Sequence, residues 1–186
     1  KTLVEGSKMV VALDISQSSL DVIKKRFQKS KNVEVTLADL ENLPFADKSF
    51  DLVACAGSLS YGKTELVLGD VRRVLKDNGI FICVDILGNN PIYSLNRLIH
   101  VLKRNRSLSI CQNAPKLEKL ERNLYGFNQN FFFFGALIFL TPLLRIFFGD
   151  TRTRQIITQS DKYLKTRRSA FKFVLVANKE NINPPL

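Results

Sequence analysis

Short apolar runs alternate with amphipathic stretches along the first half of the chain. The runs predict strands over residues 8–13, Val33–Leu37, Phe50–Ala56 and 80–84, and the amphipathic stretches predict helices over residues 18–28 and 64–76. Because Phe50–Ala56 is almost continuously apolar, it is expected to be a strand buried on both faces. Strands that alternate with helices in this way indicate an α/β fold with a mostly parallel sheet.

Acidic residues stand where three of these strands end. Asp14 follows the first run, Asp39 comes two residues after Leu37, and Asp85 follows the fourth run. The carboxyl ends of parallel strands share one edge of a sheet, and a carboxylate there accepts hydrogen bonds from ribose hydroxyls in nucleotide-binding sheets. Asp14 is therefore a candidate ligand residue. It is also a candidate N-cap of the next helix, with Ser16 as the competing cap.

The stretch from Asp39 to Tyr61 reads DLENLPFADKSFDLVACAGSLSY. A loop whose proline keeps Leu43 extended is followed by a polar turn and then by the strand Phe50–Ala56. That strand ends in small residues, including Ala56, Gly57 and Ser58. Small residues at the carboxyl end of a parallel strand let a ligand approach the backbone.

This stretch resembles the class I S-adenosylmethionine-dependent methyltransferases. It is most similar to the type 11 branch, in which the loop has the sequence D-x-E-x-L-P-F and is followed by a turn and by F-D-x-V. The matching residues are Asp39, Glu41, Leu43, Pro44, Phe45, Phe50, Asp51 and Val53. The resemblance extends over about residues 8 to 86. It implies a Rossmann-like, doubly wound sheet that is mostly parallel and ends in an antiparallel strand pair. An ordinary loop between two strands of another α/β protein is the competing interpretation.

The resemblance also implies a cofactor, S-adenosyl-L-methionine, and a role for individual residues. It implies that Asp14 binds the ribose, that Ile15 packs on the adenine, and that Asp39 bonds the adenine amino group. It implies that Leu40 offers its backbone amide. The backbone at Ala56 and Gly57 is expected beside the amino-acid end of the cofactor.

One family feature has no counterpart in this sequence, namely the opening strand with its glycine-rich loop, E/D-x-G-x-G-x-G. We therefore expect the chain to be a fragment that lacks roughly forty residues, on the scale of one βαβ unit. The missing strand would lie between the strands that end at Asp14 and Ala56. We expect those two strand edges to pair directly or imperfectly, and the fragment by itself to bind cofactor poorly.

The second half predicts a helix over residues 89–105, which contains His100, and a charged helix over 116–125. The most apolar stretch, residues 131–148, is interpreted as a strand, a turn at Thr141-Pro142 and a short helix, followed by a polar helix over 150–166. A membrane-spanning helix and an interfacial element with basic residues at the headgroups remain open. The final strand, 170–177, would pair with 131–140. Within one domain, we expect boundaries at 1–88, 89–130, 131–180 and 181–186.

Composition narrows the classes of partner. The chain has 186 residues, one histidine, three cysteines and a net charge of +11. No metal site is predicted, because there is no CxxC pair. Cysteines in apolar strands indicate a reducing compartment, so we predict a cytoplasmic protein, with the inner face of a membrane as the option left open by residues 131–148. The charge indicates an anionic partner.

These observations predict a methyltransferase that acts on a small-molecule, glycan or lipid-linked acceptor. Methyl transfer from a sulfonium mainly needs alignment, so no catalytic residue is assigned. The candidate substrate residues are Ser58, Tyr61, Asp85 and His100, with Ser60 beside them. Two alternatives remain. One is an RNA methyltransferase that uses the net charge, although no N/D-P-P-Y motif is present. The other is a non-catalytic binding protein of the same family.

Overall fold

The computed structural model describes residues 2–89, 113–164, 167 and 170–180. They form two compact units, residues 1–46 and 47–186, and each unit is described separately below. Residues 90–105 of the predicted helix, including His100, lie outside the described residues, as does the tail, 181–186.

The first unit is a parallel strand–helix–strand unit preceded by a short helix. Its elements are α1 (Thr2–Gly6), β1 (Val10–Asp14), α2 (Gln17–Arg26) and β2 (Val33–Leu37). The strands β1 and β2 are parallel, and their register runs from Val10 opposite Val33 to Asp14 opposite Leu37. Leu20 of α2 is buried. The predicted strands and helix are therefore confirmed, with shifts of one or two residues at their ends.

Ser16, rather than Asp14, caps α2. The Ser16 hydroxyl accepts a hydrogen bond from the Ser19 amide at 3.4 Å. An N-cap side chain reaches the amide two or three residues later, and only Ser16 stands at that distance from the first turn. The basic residues Lys24, Lys25 and Arg26 occupy the last turn, where positive charge complements the helix dipole.

The second unit contains a mixed sheet. Its elements are β3 (Phe50–Ala56), a 3₁₀ turn (Leu59–Tyr61), α3 (Thr64–Val74), β4 (Leu75–Ile86), α4 (Leu117–Asn123), β5 (Phe127–Phe134), a second 3₁₀ turn (Ile138–Leu140), α5 (Thr141–Tyr163) and β6 (Lys172–Lys179). The strand order is β3-β4-β6-β5. The β3–β4 pair is parallel, and β6 is antiparallel to both of its neighbours. The Rossmann-like fold with a C-terminal antiparallel pair is confirmed.

The core of this unit lies on one face of the sheet. The buried residues of β4 and β6 alternate along the strands, as expected for a sheet with one covered face. The apolar stripe of α3 and the leucines of α4 are buried as well. The core comprises Val67, Leu68, Val71, Val74, Phe81, Cys83, Leu117, Leu120, Leu124, Phe173, Leu175 and Ala177.

Two predictions about β3 are wrong. This strand is not buried on both faces, because Leu52, Ala54 and Ala56 are exposed. It is the first strand of its sheet, and the face that carries these side chains also carries the exposed Ile80 and Val84. The expected pairing of β1 with β3 is not formed either, since the described strands belong to two separate sheets.

Residues 78 and 79, within β4, have an irregular backbone. Asn78 has a positive φ of 63°. A Cβ atom at Gly79 would lie 2.8 Å from the backbone oxygen of Lys76. Glycine is therefore required at this position by a close approach of the backbone, while Asn78 adopts the left-handed conformation that asparagine tolerates.

The apolar stretch over 131–148 folds as a strand, a turn and a helix, which confirms the preferred interpretation. The helix α5 starts at Thr141 with Pro142 in its first turn. It continues to Tyr163, so it is longer than the short helix expected, and Gly149 interrupts it with φ 69° and ψ 174°. Within the ranges that the structure describes, no helix is both long and apolar enough to cross a membrane.

Candidate functional site

Asp14 and Asp39 lie at the same end of the two-stranded sheet of the first unit. Asp14 is the last residue of β1 and stands opposite Leu37, the last residue of β2. The Ala38 amide then donates a hydrogen bond to the Asp14 backbone oxygen at 3.2 Å. Asp39 follows directly, so both carboxylates emerge from the carboxyl ends of neighbouring parallel strands, as the sequence predicts.

One oxygen of each carboxylate is held by the local backbone. Asp14 Oδ1 accepts from the Ser16 amide at 2.8 Å, and Asp39 Oδ1 accepts from the Glu41 amide at 2.9 Å. Over the described ranges, Oδ2 of each carboxylate has no hydrogen-bond partner. Each side chain is therefore fixed in orientation by one oxygen and keeps the other as an acceptor for a ligand.

Ile15 and Leu40 follow the two acidic residues directly. Ile15 is 73% exposed, between the end of β1 and the Ser16 cap. An exposed isoleucine beside a carboxylate can pack on a flat aromatic ring. Leu40 is half-buried in the turn that the Asn42 amide closes on the Asp39 backbone oxygen, at 3.2 Å.

In the second unit, Gly57 ends β3 with a backbone conformation that favours glycine. Its φ is +72°, and the space around a hypothetical Cβ is open to 4 Å. Its amide donates to the Val84 backbone oxygen at 2.8 Å, which fixes the start of the following turn. The exposed Ala56 precedes it and the half-buried Ser58 follows it. A ligand can therefore approach the backbone here closely, as expected from the small residues.

Asp85 is the buried carboxylate of this unit, with 3% of the residue exposed. Its Oδ2 accepts from the Ser60 amide at 3.1 Å, and its Oδ1 accepts from the Ile86 amide at 2.7 Å. Both carboxylate oxygens thus accept hydrogen bonds from backbone amides, so Asp85 positions the turn Leu59–Tyr61. Its role toward a substrate stays a prediction.

Tyr61 is more accessible than its neighbours in that turn. It is exposed, whereas Ser60 is buried. The Asn113 side-chain amide donates to the Tyr61 backbone oxygen at 3.1 Å and so supports the turn from a distant part of the chain. No sequence pattern marks Asn113 for this contact, because the two residues approach only through the tertiary fold.

The two cysteines of the sheet form a contact of their own. Cys55 and Cys83 are register partners on β3 and β4, and the Cys55 thiol donates to Cys83 Sγ at 3.3 Å. This hydrogen bond, burial and the nearby charge of Asp85 raise the pKa of Cys83 well above its ordinary value. Cys83 is therefore a protonated thiol that belongs to the core rather than a nucleophile.

The predicted site residues thus fall into two groups. The structure brings Asp14, Ile15, Asp39 and Leu40 together in the first unit, and it brings Ala56, Gly57, Ser58, Tyr61 and Asp85 together in the second. That the two groups bind one cofactor stays a prediction, and His100 lies outside the described residues. In the ranges 2–89, 113–164 and 170–180, no cluster of three histidine, cysteine or acidic residues could hold a metal ion.

Comparison with known proteins adds the family. Residues 1–83 match the family described as "Methyltransferase domain". The matched part, somewhat under half of the chain, is therefore similar to a methyltransferase domain, in agreement with the resemblance of residues 8 to 86 to the class I S-adenosylmethionine-dependent methyltransferases. The matched region contains all six residues of the expected cofactor site, namely Asp14, Ile15, Asp39, Leu40, Ala56 and Gly57.

Relatives agree with the family. The chain is 30% identical over 112 residues to an uncharacterised methyltransferase of Schizosaccharomyces pombe, covering 59% of this chain and 43% of that protein. It is 37% identical over 99 residues to a demethylmenaquinone methyltransferase of Staphylococcus epidermidis, covering 52% and 40% of the two chains. The chain thus spans about two fifths of the length of these curated relatives.

A solved structure agrees with the fold. The geranyl diphosphate C-methyltransferase of Streptomyces coelicolor, solved with S-adenosyl-L-homocysteine, matches with a TM-score of 0.61 at 16% identity. The match covers 94% of this chain and 63% of that one. At this identity the likeness concerns the fold alone, and it extends over the second half of the chain, beyond the family match.

Proposed function

We propose that this chain is part of an enzyme that transfers a methyl group from S-adenosyl-L-methionine to a small-molecule, glycan or lipid-linked acceptor. The observation that carries the proposal is the pair Asp14 and Asp39 at one end of a parallel strand pair, each with one carboxylate oxygen fixed and one available. The match of residues 1–83 to the methyltransferase family supports it.

The residues present fit the adenosine part of this cofactor. Asp14 would accept hydrogen bonds from the ribose hydroxyls, and Asp39 would accept one from the adenine amino group. Ile15 would pack on the adenine ring, and the Leu40 amide would donate to a ring nitrogen. When bound, the cofactor supplies an activated methyl group on its sulfonium. The task of the chain is then to orient cofactor and acceptor and to exclude water.

The acceptor class rests on the relatives and on the sequence. Their names give demethylmenaquinone and geranyl diphosphate as acceptors, which fits a small or lipid-linked molecule rather than a nucleic acid. Ser58 and Tyr61, at the end of β3, and His100 are the residues of this chain that we expect near an acceptor. From the family resemblance, we expect the cofactor's amino-acid end beside Ala56 and Gly57.

A second candidate, methylation of RNA, is favoured by the net charge of +11. It predicts binding that weakens steeply with salt, because phosphate contacts release counterions. A third candidate is a family member that binds cofactor without catalysis. A radiolabelled-methyl assay on lipid extracts and on RNA separates the three, since label would appear in the lipid, in the RNA or in neither.

The cofactor site can be tested by calorimetry with S-adenosyl-L-homocysteine on the full-length protein. Asp14→Ala and Asp39→Ala should each weaken binding by about 1–3 kcal/mol, because each leaves a ligand hydrogen-bond donor without its acceptor. Asp21→Ala is the matched control, since Asp21 is an exposed acidic residue of α2 that bonds only locally to Gln17 among the described residues. Unchanged affinity in both variants would remove the two carboxylates from the site and the proposal with them.

A further inference from the structure

We propose that the first two turns of α5, residues 141–149, form an interfacial element that binds the surface of a bilayer containing anionic phospholipid. This segment presents large apolar side chains to solvent. Ile146 is 79% exposed and Phe147 is 71% exposed, and Leu143 and Phe148 are exposed beside them. Four such side chains within six residues form a patch that a protein surface otherwise avoids.

The backbone fixes these side chains as one face. Leu143, Ile146 and Phe147 stand at positions i, i+3 and i+4, which share one side of a helix. The helix starts with Pro142 and is broken at Gly149, where φ is 69°. The break confines the apolar face to two turns, about the extent that can lie in the plane of a membrane interface with its side chains inserted.

Basic residues stand within this segment and directly after it in the chain. Arg145 forms an ion pair with Asp150 at 2.7 Å, and this pair bridges the break at Gly149. Beyond it, Arg152 and Arg154 are exposed on either side of the buried Thr153. Arginines next to an inserted apolar face are placed to meet lipid phosphates, and each adds attraction to an anionic surface.

The charge of the chain decides between possible occupants of this face. A second copy, also with a net charge of +11, would bring its own Arg152 and Arg154 to this surface, and this repulsion opposes self-association. An anionic bilayer offers both the apolar depth for Ile146 and Phe147 and the negative charge for Arg152 and Arg154. This inference uses residues outside the cofactor site, so it stands independently of methyl transfer.

The absence of tryptophan from the chain makes a direct test possible. Phe147→Trp introduces a single indole at the centre of the face. On mixing with vesicles of phosphatidylcholine and phosphatidylserine, its emission should shift to the blue and should be quenched by lipids brominated on their acyl chains. Leu66→Trp is the matched control, because Leu66 is 48% exposed on α3, and its emission should stay unchanged.

Vesicle sedimentation tests the two components separately. The double variant Ile146→Ser, Phe147→Ser should lower the partition coefficient about tenfold or more, whereas Val22→Ser, Leu66→Ser should leave it unaltered. The double variant Arg152→Gln, Arg154→Gln should lower it about fivefold for each arginine on anionic vesicles. The control with the same loss of charge is Lys24→Gln, Lys25→Gln in α2, which should have a much smaller effect.

Three outcomes would overturn the proposal. The first is an emission maximum of Phe147→Trp that does not move with vesicles. The second is equal binding to vesicles of phosphatidylcholine alone, which would exclude the charge contribution. The third is a dimer, seen by light scattering, that the Ile146→Ser, Phe147→Ser variant abolishes while vesicle binding is absent. In that case a second copy covers the face.

Discussion

The two parallel strand pairs among the described residues have similar sequences at their carboxyl ends but differ there in structure. The pair β1–β2 carries Asp14 at its carboxyl end, half-buried and with one carboxylate oxygen bonded to backbone. The pair β3–β4 carries Asp85, buried and with both oxygens bonded to backbone amides. The first carboxylate can therefore serve a ligand, and the second serves the fold.

This difference shows that an acidic residue after an apolar strand is not by itself a binding residue. Burial decides which role the carboxylate has. A carboxylate that is removed from water needs hydrogen bonds from the protein to both of its oxygens, and it accepts them from the nearest amides. Asp85 takes them from Ser60 and Ile86 and thereby fixes the turn after β3. Asp14 remains partly in solvent and keeps an oxygen available.

The largest effect that we expect is on stability, from Asp85→Ala. The substitution would leave the buried Ser60 amide and the partly buried Ile86 amide without this acceptor and should lower the free energy of unfolding by about 2–4 kcal/mol. Urea denaturation of the chain measures this. Asp85→Asn keeps one acceptor and should lower the free energy of unfolding by about half as much.

The control is Glu65→Ala. It removes an exposed carboxylate that pairs with Lys119 at 2.7 Å, and it should change the free energy of unfolding by less than about 1 kcal/mol. Equal effects of Asp85→Ala and Glu65→Ala would contradict the positioning role.

An intermediate effect is expected from Gly57→Ala. Alanine at φ +72° should lower the free energy of unfolding by about 1–2 kcal/mol through backbone strain alone, because the surrounding space is open. Gly69→Ala is the control in the same unit. Gly69 is helical with open space around it, so alanine there should raise stability by about 0.5–1 kcal/mol. Urea denaturation measures both variants, and an unchanged stability of Gly57→Ala would contradict the strain argument.

The smallest effect on stability is expected from Asp14→Ala, at the carboxylate that we propose binds a ligand. Asp14→Ala removes one hydrogen bond, from the half-buried Ser16 amide, and should cost about 0.5–1 kcal/mol in the free energy of unfolding. Its large effect should instead be on cofactor affinity, as described above. If urea denaturation showed Asp14→Ala to be as damaging as Asp85→Ala, the two carboxylates would have the same structural role and the comparison would fail.

Much of the fold follows from local pattern. The strands Val33–Leu37 and Phe50–Ala56 have the predicted bounds, and the start of α5 at Thr141-Pro142 follows from the fixed φ of proline. The exposed face of β3 could not be predicted, because the same apolar run is compatible with a strand that is covered on one face and with a strand that is covered on both. The contact from Asn113 to Tyr61 was also unpredictable, because nothing local records which segments meet.

The sequence by itself determined the order of strands and helices, the family stretch from Asp39 to Val53 and the placement of Asp14 and Asp39 after their strands. These are local properties. They are set by hydrophobic periodicity and turn chemistry, so they can be inferred from one sequence without knowledge of tertiary contacts. The tertiary structure alone decided that Asp85 is consumed by backbone amides while one oxygen of Asp14 stays available, and that Ile146 and Phe147 face solvent. Burial and hydrogen-bond partners depend on which distant segments pack together, and no single stretch of sequence contains that information.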